Sequence, residues 1–169
     1  EISKFIHHSA RNFIRFEPEK FQQVAPEYKY RVQEKLIYRF ISKGLVFSYD
    51  NKQLLTLNSA NILIPKIEKC SIKVILGLFN SSLYQYIFQK KFSSIKVLRS
   101  HIETLPLPNW SKKTKTEMTE LVDNLLNYDI NENKRSQLLQ QLDNFVMVRW
   151  GLTKAEIRFI IRNVNQRRG

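Results

Sequence analysis

The sequence predicts an α+β fold, in which a small mixed β-sheet or meander with packed helices precedes a C-terminal helical tail. Two observations predict this class. β-Branched and aromatic runs separated by short turns fill residues 35–65, which is typical of strands. Beyond Ser71, apolar residues recur mostly at steps of three and four, which is typical of helices. We therefore divide the 169-residue chain into an α+β domain at residues 1–109 and a helical region at residues 110–169.

Residues 1–30 show no strong periodicity. Aromatic residues such as Phe16 and Phe21 interleave with basic ones, and Pro18 and Pro26 interrupt the stretch. Because proline fixes its own backbone and removes a hydrogen-bond donor, we expect short extended pieces and loops here.

Four strand pieces follow, joined by turn-forming residues. The turn Ser42–Gly44 contains a glycine, and the turn Asp50–Gln53 contains Asp and Asn, whose side chains can bond to their own backbone. Proline ends the last piece, because it cannot donate to a β-ladder. The expected strands are Lys35–Ile41, Leu45–Tyr49, Leu54–Leu57 and Asn61–Pro65.

A helical pattern begins at Ile72 and is interrupted at Asn80–Ser82. Because Asn and Ser favour helix caps over helix interiors, the interruption predicts two helices in place of one. The chain then returns to an extended pattern, which the repeated prolines of Leu105–Pro108 end. The apolar residues of this extended stretch that are candidates for packing are Phe92, Ile95, Val97 and Leu98.

The helical region contains three predicted helices, each preceded by a residue pair typical of a capping box. In such a pair, the cap side chain and a Glu three residues later bond to each other's backbone N–H groups. The three pairs are Thr114 with Glu117, Asp129 with Glu132, and Thr153 with Glu156. One apolar stripe on each helix is expected to be buried.

The net charge of +13 is concentrated in the middle of the chain. Residues 51–100 carry eight Lys and Arg residues and a single acid, Glu68. A basic footprint of this kind attracts phosphates through counterion release, which favours a nucleic-acid partner. An acidic membrane surface, or solubility alone, is the alternative interpretation.

No arrangement typical of catalysis or metal binding is found in the sequence. Four glycines form no phosphate-binding loop, and one cysteine with three histidines makes a zinc cluster or an internal disulfide unexpected. The Glu27–Lys29 pattern of metal-dependent nucleases has no Asp before it, and Glu132 already has a capping role. We therefore expect no catalytic residue, no metal ligand, no membrane segment and a reducing, cytoplasmic location.

Binding residues remain, and they come in two groups. The alternative for each residue is an ordinary solvated side chain. Arg and Lys can pair with guanine and Asn or Gln with adenine, so Asn51 and Gln53 are further candidates for base readout. The first group flanks the first hairpin: Lys35, Arg39, Ser42 and Lys43. The second group lies around the extended stretch: Lys90, Lys91, Ser94, Lys96 and Arg99.

The order of these motifs resembles the TaqI-like C-terminal specificity domain. Lys35–Pro65 is similar to the opening hairpins of that family. The stretch "ILGLFNSSLYQYIFQKKFSSIKVLRSHIETLPLP" is similar to its second half, where a Leu-Asn-Ser helix leads into a basic segment and a double-proline stop. The stretch "LDNFVMVRWGLTKAEIRFII" resembles the helical end that often follows, although the tyrosines common there are replaced.

The resemblance implies a target-recognition domain at residues 1–109, from a bacterial restriction-modification protein of the type IIG kind. In such proteins an adenine-N6 methyltransferase, using S-adenosylmethionine, is fused to a nuclease, which uses Mg²⁺. The domain reads a short double-stranded DNA sequence so that the methyltransferase can flip the correct adenine. The catalytic Asn-Pro-Pro-aromatic motif is absent from the sequence. The resemblance therefore implies a recognition module that is not an enzyme, has no cofactor of its own, and works with DNA and the parent's catalytic domains.

Two further hypotheses stay open from the sequence. The chain could be a protein-interaction or assembly domain that docks a catalytic partner through its helical tail, which predicts an exposed apolar stripe on the tail helices. It could also be a complete enzyme, which predicts methyl transfer from S-adenosylmethionine to DNA.

Overall fold

The computed structural model describes residues 2–7, 15–21, 24–56 and 59–166. Within these residues the fold is α+β, as the sequence predicts: three antiparallel strands and seven α-helices. The expected loops at residues 8–14 and 22–23 lie outside the described residues. The described part of the N-terminal stretch contains a 3₁₀ turn at Pro18–Lys20 and a short helix, α1 (Glu27–Tyr30), which the sequence did not predict.

The sheet consists of β1 (Lys35–Arg39), β2 (Phe47–Asp50) and β3 (Ala60–Leu63), in the order β2-β1-β3. The expected meander is therefore wrong in its strand order, because β1 and not β2 is central. Both partners run antiparallel to β1, with Ile37 opposite Ser48 on one side and opposite Ile62 on the other.

The prediction of a strand at Leu54–Leu57 is wrong for residues 54–56, which form no strand. Leu57 lies outside the described residues. The physical reason is the Asp50 carboxylate. It accepts hydrogen bonds from the N–H groups of Lys52 (2.8 Å) and Leu54 (3.0 Å), so the chain turns away from β2.

The N-terminal residues extend the sheet beyond β2. Phe5 donates its N–H to the carbonyl oxygen of Phe47 at 2.8 Å and accepts from Tyr49 at 3.0 Å, which forms a parallel bridge with Ser48. The Phe5 side chain is 1% exposed, so it fixes this segment to the core.

Two helices follow the sheet, as the break at Asn80–Ser82 predicts: α2 (Ile72–Asn80), which packs on β1 and β2, and α3 (Ser82–Lys91). Ser81 ends the first helix and caps the second, and its hydroxyl donates to the Leu78 carbonyl oxygen at 2.7 Å. Aromatic rings connect the layers, with successive centroids 5.1 to 6.3 Å apart. They run from the sheet to the helical region in the order Tyr38, Phe47, Phe79, Tyr84 and Trp150.

Four helices complete the chain: α4 (Arg99–Glu103), α5 (Lys112–Leu126), α6 (Glu132–Arg149) and α7 (Lys154–Gln166). The capping box of Thr153 with Glu156 is confirmed, with both side chains bonded to the other's N–H. The other two expected caps are wrong. Ser111 caps α5 and Asn131 caps α6, because each helix begins earlier or later than its Glu-based pattern predicts.

The helices after Trp110 pack on α2 and α3 and bury the expected stripes, which include Met118, Val122, Leu142 and Val146. At Gly77 the contact is so close that an added Cβ would lie 2.3 Å from the Met118 methyl carbon. Asp143 on α6 accepts from the N–H and the hydroxyl of Ser82, both at 2.6 Å. The large apolar residues left exposed in the described part of this region are Tyr128, Val148 and Phe159.

Asn80 links α2 to the sheet through both halves of its amide. Phe47 donates its N–H to Asn80 Oδ1 at 3.1 Å, and Asn80 Nδ2 donates to the Phe47 carbonyl oxygen at 2.8 Å. The Asn80 side chain is 3% exposed, so water cannot replace these bonds.

We predict that Asn80→Ala lowers the free energy of unfolding by about 2 kcal/mol or more, because two buried backbone groups lose their partner. Urea denaturation monitored by circular dichroism measures the effect. Asn144→Ala, an exposed change on α6, is the control and should shift stability by less than about 0.5 kcal/mol. Equal stability of the two variants would contradict this role for Asn80.

Candidate nucleic-acid interface

The two groups of candidate residues meet at a short β-bridge. Val97 donates its N–H to the Phe40 carbonyl oxygen, and Ser42 donates to the Ile95 carbonyl oxygen, both at 2.8 Å. This pairs Ile41 with Lys96 in antiparallel fashion. We call the surface formed by residues 40–46 and 93–99 the bridge surface. It places side by side two segments that are far apart in the sequence.

The bridge surface is anchored from the inside by buried groups. Val97 is fully buried, and next to the segment the Phe92 ring stacks on His101 with centroids 4.1 Å apart. Gln85 of α3, 4% exposed, accepts from the Leu45 N–H and donates to the Leu45 carbonyl oxygen, both at 2.8 Å. Gly44 is required for this approach, since an added Cβ would lie 2.5 Å from Gln85 Oε1.

Three of the predicted bases lie exposed on this surface: Lys43, Lys96 and Arg99. The Arg99 side chain is 86% exposed and donates from Nε to Glu103 Oε1 at 2.6 Å. The hydrogen bond and the negative charge of Glu103 raise the pKa of the Arg99 guanidinium. Because an exposed ion pair contributes little to stability, Arg99 can exchange this partner for another anion at small cost.

The two predicted serines hold the backbone of the bridge surface. Ser94 Oγ accepts from the Lys96 N–H at 2.9 Å, and Ser42 Oγ accepts from the Gly44 N–H at 3.4 Å. Each therefore stabilises a local turn next to a basic residue.

Lys90 and Lys91 are exposed at the last turn of α3, beside the bridge surface. Lys91 Nζ donates to the Thr104 carbonyl oxygen at 3.1 Å, and Lys90 Nζ lies 5.6 Å from the centroid of the Tyr86 ring. Cations at a helix C-terminus also interact favourably with the helix dipole. Both lysines therefore have a structural role besides any contact with a ligand.

The expectation that Lys35 faces a ligand is corrected by the structure. Its side chain is 0% exposed, and its ammonium group donates to the Asp50 carboxylate and to the Tyr30 carbonyl oxygen at 2.8 Å. The register of β1 and β2 places Lys35 directly opposite Asp50, so the charge is compensated inside the protein. Arg39 is half-buried, and its Nε donates to the Ile2 carbonyl oxygen at 2.8 Å.

Asn51 and Gln53 lie at the other end of the β1–β2 pair from the bridge surface. Asp50, the residue before them, pairs with the first residue of β1, whereas the bridge surface follows its last residue. Gln53 also donates from Nε2 to the Arg31 carbonyl oxygen at 3.0 Å. The structure therefore does not bring these two side chains together with the exposed basic residues of the bridge surface.

The bridge surface also carries aliphatic residues, which the sequence did not predict to be exposed. Ile41 is 61%, Ile95 60% and Leu98 38% exposed. The expectation that Ile95 and Leu98 pack in the core is wrong, because the segment makes a single bridge and buries only Val97 fully. For Leu98 the sequence offered a signal, because strand alternation places it on the face opposite to Val97; Ile95, two residues from Val97, offered none.

Within the described residues, no cluster of His, Cys, Asp or Glu could hold a metal ion. Among the same residues, no helix is both long and apolar enough to cross a lipid bilayer. The chemical groups gathered on the bridge surface are cations, hydroxyls and aliphatic side chains, which suit binding of an anionic ligand with apolar parts.

Comparison with known proteins gives one positive result. The family model described as the TaqI-like C-terminal specificity domain matches residues 1–107. The matched range contains the sheet, α2 to α4 and the whole bridge surface. No curated protein matches the chain.

We predict that Lys35→Met lowers the free energy of unfolding by about 3 kcal/mol, because it leaves a buried carboxylate without its counter-charge. Urea denaturation is the measurement. Lys43→Met, which removes an exposed lysine, is the control and should cost less than about 0.5 kcal/mol. Adding Asp50→Asn to Lys35→Met should recover part of the loss. Stability unchanged by Lys35→Met would refute the buried pair.

Proposed function

The chain belongs to the family of TaqI-like C-terminal specificity domains, which are DNA target-recognition modules of restriction-modification enzymes, and we propose that its bridge surface is where it binds duplex DNA. The observation that carries the proposal is the β-bridge between Ile41 and Lys96, which unites two basic segments of the matched range on one surface.

Charge supports the same surface. Lys43, Lys96 and Arg99 lie on it, and Lys90 and Lys91 lie beside it, all of them exposed. The only acid in residues 90–108 is Glu103, which is engaged by Arg99. Lysine and arginine contacts to phosphates release counterions and fix the register of a protein on a duplex.

Rigidity also supports it. The loop and the segment are fixed by backbone hydrogen bonds to each other and by the buried amide of Gln85. Side chains on a preformed surface lose little freedom on binding, which favours discrimination among sequences.

We extend the proposal to the parent protein. The recognised site is one at which adenine-N6 methylation occurs, in a bacterial, cytoplasmic enzyme of the type IIG kind. The methyl transfer from S-adenosylmethionine, and any Mg²⁺-dependent cleavage, belong to domains other than this chain. In this proposal the chain itself selects the site and performs no chemistry.

The first experiment is a selection from random duplexes with the 169-residue chain, followed by binding of the selected and a scrambled duplex over a range of salt concentrations. The selected duplex should bind several kcal/mol more tightly than the scrambled one. Affinity should fall steeply with salt. Salt-insensitive binding, or no preference for the selected duplex, would contradict the proposal.

We predict that the double variant Lys96→Ala/Arg99→Ala weakens binding to all duplexes and reduces the salt slope by about 2, because two phosphate contacts are lost. The matched control is Lys134→Ala/Arg158→Ala, which removes one exposed lysine and one exposed arginine outside the matched range. Fluorescence anisotropy at several salt concentrations measures both.

Glu103→Gln provides a test of opposite sign. It removes the carboxylate that occupies Arg99 and repels phosphate, so affinity should rise. If the control variant weakens binding as much as the bridge-surface variant does, the DNA contacts lie elsewhere.

A further inference from the structure

Three large aliphatic side chains lie exposed on the bridge surface in immediate proximity. The backbone of Ile41 pairs with Lys96, one residue from Ile95, and Leu98 follows two residues later. Residues directly opposite in an antiparallel pair project to the same face, so Ile41 and Lys96 share the outer face while Val97 points inward. Along the chain, Ile95 directly precedes Lys96 and Leu98 directly precedes Arg99, so exposed apolar residues and exposed cations are interspersed.

Exposure of these residues is not a consequence of a loose loop. Ser42 and Val97, which flank Ile41 and Lys96, hold the two strands together with hydrogen bonds of 2.8 Å, and Val97 is fully buried. The protein thus holds Ile41 at 61% and Ile95 at 60% exposure on a fixed backbone. Large exposed apolar groups in a cluster mark a binding surface.

The chemistry of the cluster limits what it can recognise on DNA. Aliphatic side chains neither donate nor accept hydrogen bonds, so they cannot read the polar edges of bases. In the major groove, the apolar group that a base presents is the C5 methyl of thymine. The neighbouring basic side chains, such as Lys43, Lys96 and Arg99, would contact the phosphates beside the groove.

Resting on the proposed function, we infer that the bridge surface enters the major groove and that Ile41, Ile95 and Leu98 form a contact for the C5 methyl group of a thymine in the target site. These residues then determine specificity, whereas the neighbouring lysines and Arg99 supply affinity that does not depend on sequence.

The test replaces each thymine of the selected duplex, one at a time, with deoxyuridine. This change removes only the methyl group and keeps the base pair. At one or two positions, affinity should fall by about three- to tenfold, the effect of losing one buried methyl group. The remaining positions should be unaffected.

The same duplexes are then bound to Ile41→Ala, Ile95→Ala and Leu98→Ala. At least one of these variants should bind the thymine duplex as weakly as the deoxyuridine duplex, so that the discrimination disappears. Val148→Ala, which truncates a 50% exposed residue on α6, is the control and should keep the discrimination. Thermal melting should remain nearly unchanged, because the truncated side chains are exposed.

The outcomes separate this inference from the proposed function. Salt-dependent, sequence-preferring binding that is equal for thymine and deoxyuridine at every position overturns the inference alone, as does a selected site without thymine. Discrimination that all three variants retain places the methyl contact on other residues and also overturns it. Absence of duplex binding overturns the proposed function, and the inference with it.

Discussion

The junction between α2 and α3 is the constraint on which the other parts of the structure depend. Within three consecutive residues, Asn80 bonds to the backbone of β2, Ser81 ends one helix and caps the next, and Ser82 is held by the Asp143 carboxylate of α6. All three are buried. Because buried polar groups need partners, these contacts determine how the sheet, the two central helices and the C-terminal helices are placed.

The bridge surface follows from the same junction. Once Asn80 has fixed Phe47 and the start of α3, Gln85 lies one turn further along that helix and reaches the backbone of Leu45. The two amide side chains therefore hold the same strand and the loop before it. This loop then provides the backbone partners of Ile95 and Val97, so a contact in the core positions residues on the surface.

The sequence indicated those features that depend on local chemistry. Asn80–Ser82 was identified as a helix break because Asn and Ser favour caps, and Thr153 with Glu156 because the capping box is a local pattern. Features that depend on distant partners were missed. Lys35 has the pattern of an exposed basic residue in the sequence. Its buried partner, Asp50, is brought opposite it only by the register of β1 and β2. Asn80 and Gln85 carry no signal in the sequence for their bonds to the backbones of Phe47 and Leu45. Ile95 resembles a core residue, but its extended stretch buries only Val97 fully.

The helices α2 and α3 are covered by other elements over most of their surface, whereas the bridge surface is left open. One face of α2 packs on the sheet, and the C-terminal helices cover much of the rest of both helices, with Gly77 against Met118 and Ser82 against Asp143. The apolar stripes of those helices are therefore largely used inside the protein, which disfavours the alternative of a tail that docks a partner through such a stripe. The bridge surface lies at the other end of α3, past Gln85, where no described element covers Ile41 or Ile95. A domain that reads DNA requires such a separation, because the groups that hold the fold together must not be the ones that exchange partners on binding.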